Sequence, residues 1–355
     1  MLSSRAKTLQ QELKDHVVFI GPDFWKESES PYFREDKSLF SAWQWEAKEQ
    51  GLDIRVGRWL VPGEPIAVLV DFQPFFSQKN DIYCWFWENY GVDSLHAYGD
   101  YDEASMFSYA AAIVVESFYN YYLLPDNQQS SAYRVVYHAN EWMCGLGALY
   151  INSKLPQIGT IFTTHATTVG RSIAGNGKHL YEYLPGYNGF QMANELNVAS
   201  KHSIEQAATQ NADCFTTVSA ITARECAQLL ERYPDQLLLN GFENDFVPEP
   251  KEFQSKRWAA RRRLLDVVGN LTGCTMPDNT LIVSTSGRYE FRNKGLDVFV
   301  DAMARLRDCT ELNKPVVAFV NVPAWVAESR TDLAQRMQTN EMYEDGLACP
   351  YITHW

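Results

Sequence analysis

Residues 280–323 read TLIVSTSGRYEFRNKGLDVFVDAMARLRDCTELNKPVVAFVNVP, and this stretch decides the fold class. A β-branched run, TLIVSTS (280–286), is followed by a turn, by the helical run GLDVFVDAMARLR (295–307) and by a second apolar run, PVVAFVNVP (315–323). Two short apolar runs separated by a helical period form the pattern of a βαβ unit, whose strands lie parallel. The same alternation extends back along the chain. HVVFIG (16–21), IAVLVDF (66–72), YRVVYHA (133–139), GTIFTTHA (159–166), DCFTTVS (213–219) and QLLLNG (236–241) read as buried strands. ASMFSYAAAIVVESFYNYYLL (104–124) reads as a long buried helix, and a further helix is expected over 222–232, where Thr222 and Glu225 have the capping-box spacing. The polar, turn-rich stretch Asn89–Glu103 reads as a surface excursion. The expected fold class is therefore α/β, with parallel sheets covered by helices.

Composition changes over 243–263, where ENDFVPEPKEF gives way to the basic run SKRWAARRRLL. A domain boundary is expected there, giving domains 1–250 and 251–355. A doubly wound domain needs more than two strands, so the second is expected to be incomplete. At 355 residues and 46% hydrophobic, the chain can bury a sizeable core and is not disordered. Its 31 basic and 44 acidic residues give a net charge of −13, which would repel a nucleic-acid backbone. An anionic ligand would have to be held by a local cluster of cations. The N-terminal stretch carries both charge signs and no apolar core, so it is not a signal peptide, and no apolar run approaches the length of a membrane span. The seven cysteines are scattered without a C-x-x-C pair, which argues for reduced thiols in the cytoplasm and against a disulfide scaffold or zinc site.

Three constellations carry chemistry, and one is a decoy. Gly175-Asn176-Gly177-Lys178 imitates the end of a phosphate-binding loop, but Ser172 and His179 stand where Gly and Ser/Thr are required. Its backbone could still open a helix and face an anion. The strongest candidate is Ser286–Gly295, SGRYEFRNKG, which puts Arg288 at the carboxyl end of a strand and Lys294 just before a helix. Ligands of open α/β sheets bind at that end of the strands, and two cations beside a helix N-terminus suit a diphosphate. The alternative is a solvated turn in which these cations pair with Glu290 or Asp297. The second constellation joins His165, at the end of GTIFTTHA, with Arg171. The alternative there is a buried histidine satisfied by backbone. The third is His138-Ala139-Asn140-Glu141-Trp142, whose polar groups and Trp suit sugar hydroxyls and stacking, unless Asn140 is simply a helix cap.

FTTHAT…GR (162–171), DCFTTVSAIT (213–222) and SGRYEFRNKG (286–295) together resemble the glycogen synthases of the animal and fungal type, with HANEW (138–142) where that family has H-F-H-E-W. The resemblance extends from VVFIGP (17–22) to VVAFVNVPA (316–324). It implies a GT-B fold, two Rossmann-like domains facing across a cleft, the second incomplete here. It implies retaining transfer of glucose from UDP-glucose to the non-reducing 4-OH of an α-1,4-glucan, with no metal or cofactor and with catalysis by leaving-group stabilisation. On that basis Arg288 and Lys294, with Gly287 between strand and loop, neutralise the departing UDP; His165 contacts the transferring glucose; Arg171 lies by the donor phosphates; and Glu141, Asn140 and His138 serve the sugar sites. The partners implied are UDP-glucose and the glucan, with self-association left open, and neither nucleic acid nor membrane.

The departures are specific. The family's K-V-G-G-I-x-T-V loop and its late E-P-W-G-Y-T-P-x-E segment are not found here, and Asn140 replaces the second His of the motif. The expectation is a fragment of a longer product, inactive by itself. Two rivals stay open. One is a GT-B enzyme using ADP-glucose, whose K-T-G-G-L and H-x-H-D-W motifs the chain does not show. The other is a non-catalytic glucan- or nucleotide-binding module.

Overall fold

A computed structural model of the chain describes residues 2–26, 28–124, 133–242, 244, 247–339 and 343–354. Residues 243, 245 and 246, in the polar segment expected to join two domains, lie outside the described residues. Two compact units divide the chain, Met1–Phe242 and Glu243–Trp355, so the division falls ahead of the expected residue 250.

The first unit opens with helix α1 (Leu2–Leu13), followed by β1 (Val18–Pro22), β2 (Phe33–Glu35), α2 (Ser41–Glu49), β3 (Ile54–Trp59) and β4 (Ile66–Val70). The four strands form a mixed sheet in the order β1-β4-β3-β2. β1 runs parallel to β4, while β3 is antiparallel to both of its neighbours. This antiparallel edge departs from the parallel expectation, and its strands were not legible as apolar runs. β3 reads IRVGRW: Val56 is fully buried, but Arg55 and Arg58 on either side pair with Asp23 at 2.6 Å and Asp15 at 2.8 Å.

Helices α3 (Lys79–Tyr90) and α4 (Tyr101–Phe118) follow. α4 buries Ser105, Ser108, Ala110, Ala111 and Ala112, small side chains that allow close approach, and runs on as one wide turn over Tyr119–Leu123. The expected surface excursion is therefore shorter than Asn89–Glu103. Tyr101 starts α4 and is fully buried, its ring stacked on that of Trp142 with centroids 6.0 Å apart.

The rest of the first unit alternates strand and helix: β5 (Val136–Asn140), α5 (Gly145–Lys154), β6 (Gly159–Thr164), α6 (Thr168–Gly175), α7 (Gly189–Glu195), α8 (Ala199–Asn211), β7 (Cys214–Thr217), α9 (Ala220–Leu229) and β8 (Gln236–Leu237). β5-β6-β7-β8 is a parallel sheet in that order. Phe162 and Phe215 on neighbouring strands are fully buried and stack at 6.3 Å, sharing their core with Leu146, Leu149 and Ile204 of the covering helices. The cap of α9 is Ser219, whose hydroxyl accepts the Thr222 N–H at 3.1 Å. The expected Thr222/Glu225 capping box does not form, because Glu225 is buried inward, where it serves another loop.

The second unit holds α10 (Pro250–Thr272), β9 (Leu281–Ser286), α11 (Leu296–Arg307), β10 (Val316–Asn321) and α12 (Thr331–Gln338). β9 and β10 pair in parallel from Leu281↔Val316 to Ser286↔Asn321, with α11 as the crossover. The expected basic helix lies within α10, where Lys256 and Arg262 pair with Glu252 and Asp266 and Arg261 donates to the carbonyls of Asp278 and Thr280. No helix among the described residues is long and apolar enough to cross a membrane.

Candidate active site

At the carboxyl ends of β5 and β6 the two histidine-bearing motifs are wired together. The sheet register sets Asn140 beside Thr163. His138 Nε2 lies 2.7 Å from Thr163 Oγ1, which in turn lies 2.6 Å from the hydroxyl of Thr216 on β7. The Glu141 N–H donates to the Thr163 carbonyl at 2.8 Å, and the Glu141 carboxylate accepts the backbone N–H of His165. Asn140 Oδ1 sits 3.3 Å from His165 Nε2. Asn140 is thus the last residue of a strand that reaches across to its neighbour, and the short turn Trp142–Cys144 that follows has no side-chain cap. Trp142 is buried against Tyr101, and the Lys201 ammonium lies over its ring at 4.9 Å. It is a core residue, not the open stacking platform expected from the sequence.

Glu141 itself has φ 66° and ψ 163°. That region is populated almost exclusively by glycine, and a side chain there costs of order 1–3 kcal/mol. Its two hydrogen bonds to the 163–165 stretch hold it in place.

The loop that carries His165 is gripped from behind by two buried glutamates. Glu205 on α8 accepts the Thr164 hydroxyl at 2.5 Å and the Thr168 N–H at 2.8 Å, one oxygen for each side of the histidine. Glu225 on α9 accepts both the N–H and the hydroxyl of Thr167, at 2.9 and 2.5 Å, and its second oxygen takes the Tyr181 hydroxyl at 3.1 Å. Thr167 caps α6 by accepting the Gly170 N–H. A Cβ at position 170 would collide with Glu225 Oε1 and Thr167 Oγ1, so only glycine fits. Neither glutamate was singled out from sequence as a site residue. The available signal was an acidic residue inside the buried stripe of a helix, as at Thr222, Glu225, Cys226 and Leu229.

Burial sets the protonation states. It pushes the fully buried Glu205 up to about 7 and raises Glu141, the latter opposed by the charge of Arg171 and the His165 N–H. Burial, with a smaller contribution from Arg5, pulls His165 down to about 4. The protein packed around the His138 ring, and then Arg5, likewise hold that imidazole below its ordinary value, although the residue keeps an exposed edge. Arg5 was not foreseen. It reaches from α1 to the carbonyls of Leu238 and Leu239 at 3.1 and 3.4 Å, which brings its charge to both imidazoles. His165 is not satisfied by backbone: its Nδ1 is shielded from solvent and has no hydrogen-bond partner among the described residues. Arg171 is exposed in the first turn of α6, with its charge felt at Glu141. Gly175 closes α6 instead of opening a helix, and Lys178 pairs with Glu195 at 3.0 Å, so the decoy loop has no anion-binding geometry.

In the second unit, the loop after β9 carries Gly287, Arg288 and Lys294. The Gly287 N–H donates to the Asn321 carbonyl at the end of β10 at 3.1 Å. The stem of Lys294 lies across Gly287, and a Cβ at Gly287 would meet its Cγ at 3.3 Å. Arg288 pairs with Glu290 at 2.9 Å in a half-exposed ion pair, as the solvated-turn alternative anticipated for this cation. Lys294 has no ion-pair partner among the described residues, and Asp297 Oδ1 is buried without one. The two cations therefore flank one loop, one tethered and one free. No group of three or more His, Cys, Asp or Glu among the described residues could hold a metal ion.

The family model for glycogen synthase matches residues 1–339. The chain belongs to the glycogen synthase family. Among its relatives, glycogen [starch] synthase isoform 2 of Saccharomyces cerevisiae is 32% identical over 343 residues, covering 91% of this chain and 47% of its own length. Glycogen [starch] synthase of Neurospora crassa is 31% identical, covering 91% and 46%. The liver enzyme of Rattus norvegicus is 30% identical over 361 residues, covering 98% and 50%. The chain spans about half the length of these relatives. The family's fold is of the GT-B type, with which the α/β architecture, parallel sheets covered by helices beside one mixed sheet, is consistent.

Proposed function

We propose that this glycogen synthase family chain takes part in retaining transfer of glucose from UDP-glucose to the non-reducing 4-OH of an α-1,4-glucan, in the cytoplasm and without a metal or cofactor. The observation that carries this reading is the pairing of HANEW with TTH at adjacent strand ends, where Asn140 meets the His165 ring and Glu141 accepts the His165 backbone N–H. Neutral imidazoles and a carboxyl of raised affinity for protons suit an uncharged, hydroxyl-rich ligand better than an anion.

On this reading His165 meets the transferring glucose, Glu141 and His138 serve sugar hydroxyls, and Arg171 serves the donor phosphates. Arg288 and Lys294 stabilise the charge that develops on UDP as the glycosidic bond breaks, and Gly287 lets the lysine stem lie flat on the loop. The test is incorporation of labelled glucose into glycogen, with UDP-glucose and ADP-glucose as alternative donors. It is run on this chain and on one carrying the further residues of a full-length relative. Activity with UDP-glucose supports the reading. Activity only with ADP-glucose moves the donor assignment, and glycogen binding without transfer by either form favours a binding module.

A further inference from the structure

The histidine motifs belong to β5 and β6, but the mixed sheet of the first unit has a crevice of its own, at the carboxyl ends of its parallel pair β1 and β4. Open α/β sheets bind ligands at that end of their strands. The residue after each strand is an aspartate, Asp23 after β1 and Asp71 after β4. The Asp23 N–H donates to the Val70 carbonyl at 2.9 Å, which continues the register and sets the two aspartates next to each other. Each is already neutralised. Asp23 is buried and takes two bonds from the Arg55 guanidinium, at 2.6 and 2.7 Å. Asp71 pairs with the Lys26 ammonium and accepts the Gln73 N–H at 2.9 Å. Burial works against the charge of Asp23, yet Arg55 and the Trp25 N–H hold its carboxyl below the ordinary range.

These groups line a cavity of about 400 Å³, within the roughly 300–1,000 Å³ of small-molecule sites. The buried Phe72 ring forms part of its wall, and Phe24 stands edge-to-face against Phe72 with centroids 6.2 Å apart. Phe24 is nevertheless 74% exposed, so its ring is open to an occupant. The Gln73 amide and the Ser28 hydroxyl, also on the lining and exposed, have no side-chain hydrogen bond among the described residues. Two carboxylates and two cations cancel, so the lining attracts neither a phosphate nor a metal ion by net charge. It offers instead carboxylate lone pairs, ammonium and amide donors, a hydroxyl and an open aromatic ring. That set recognises a neutral ring bearing many hydroxyls.

We propose that this cavity is a carbohydrate subsite, with a pyranose ring stacked on Phe24 and its hydroxyls bonded to Asp71, Lys26 and Gln73. That the sugar is a glucose unit of an α-glucan rests on the transferase reading; the preference for a neutral, hydroxylated ring rests on the cavity.

The test is calorimetric binding of maltoheptaose to the whole 355-residue chain. Phe24→Ala is expected to weaken it about tenfold, the size of one aromatic stacking contact. Gln73→Ala is expected to weaken it about fivefold, the size of one hydrogen bond. Phe24→Trp, which keeps a ring, should retain binding, and Phe190→Ala, which removes an exposed ring of α7, should leave it unchanged. Urea midpoints equal to the parent's show that the variants are folded. A fluorinated phenylalanine placed at position 24 reads the cavity directly: its resonance should move with maltoheptaose and stay still with UDP. Maltoheptaose binding that neither Phe24→Ala nor Gln73→Ala weakens, or that leaves the fluorine resonance unmoved, overturns the subsite and leaves the transferase reading intact. A resonance that moves with UDP alone makes the cavity a nucleotide site and overturns the proposal. Absence of maltoheptaose binding in the parent overturns it as well, while incorporation of labelled glucose judges the transferase reading separately.

Discussion

The backbone at Glu141 gives a prediction whose sign is opposite to the usual one. Its φ of 66° and ψ of 163° are comfortable only for glycine. Both Glu141→Ala and Glu141→Gly remove the carboxylate and its bond to the His165 N–H, so the difference between the two variants isolates the backbone. Alanine inherits a strain of about 1–3 kcal/mol. Glycine relieves it but adds unfolded-state entropy worth about 0.5–1 kcal/mol. The glycine variant is therefore expected to be the more stable by roughly 0–2.5 kcal/mol. At Glu88, an exposed position inside α3, the same pair should give the ordinary order, with glycine less stable than alanine by about 1 kcal/mol. Urea midpoints followed by tryptophan fluorescence, at unchanged m-value, measure both differences. If glycine at 141 falls below alanine by the same margin as at 88, Glu141 stores no strain and the reasoning fails. In transfer assays Glu141→Gly is expected to lose activity despite its stability, since the motif it ties to His165 is released.

Three further outcomes follow from the site. Glu205 binds its proton more tightly folded than unfolded, so folding takes up a proton between the ordinary carboxyl range and about 7. It therefore costs stability as pH rises through that window, by up to about 1.4 kcal/mol per pH unit. Glu205→Gln should flatten the fall, and an unchanged slope in urea midpoints between pH 5 and pH 8 would show that the carboxyl is not protonated in the fold. His202, buried on α8 with neither ring nitrogen partnered among the described residues, is pulled down to about 4. It opposes folding as pH drops below its unfolded value, so His202→Phe should raise stability by about 1 kcal/mol at pH 7 and more at pH 5; a loss at both pH values would mean that the imidazole has a partner. In the intact enzyme, Lys294→Ala or Arg288→Ala should lower kcat more than about tenfold, roughly 1.4 kcal/mol of transition-state stabilisation, and full turnover by either variant would remove it from the diphosphate role.

Most of the parallel framework was legible because buried parallel strands must be apolar on both faces, which leaves runs such as IAVLV and GTIFTT in plain view. β3 was not legible, since its arginines pair with Asp15 and Asp23 and interrupt the apolar run. The strand-end rule singled out His138, Asn140, Glu141 and His165, which the structure brings together at neighbouring strand ends. It could not find Glu205, Glu225 or Arg5, which come from helices remote in sequence and act only through tertiary contact. The misreadings share one cause. Glu225 looked like a capping partner and Trp142 like a sugar platform because local spacing says nothing of which side of an element is buried.

The electrostatics of the two units also differ in a way that net charge conceals. A formal charge of −13 is felt over distances that salt screens to about 8 Å, so contact-range groups decide what each site prefers. In the first unit the groups around His165 are uncharged imidazoles, an amide and a carboxyl raised by burial, and the nearby arginines are engaged with carbonyls or stand at the rim. In the second unit the loop after β9 presents Lys294, free of any carboxylate among the described residues, beside an Arg288 whose partner Glu290 an anion could displace at little cost, because a half-exposed ion pair contributes about 1 kcal/mol or less. The contact-range groups of the first unit thus suit uncharged hydroxyls, and those of the second suit an anion, whatever the sign of the whole chain.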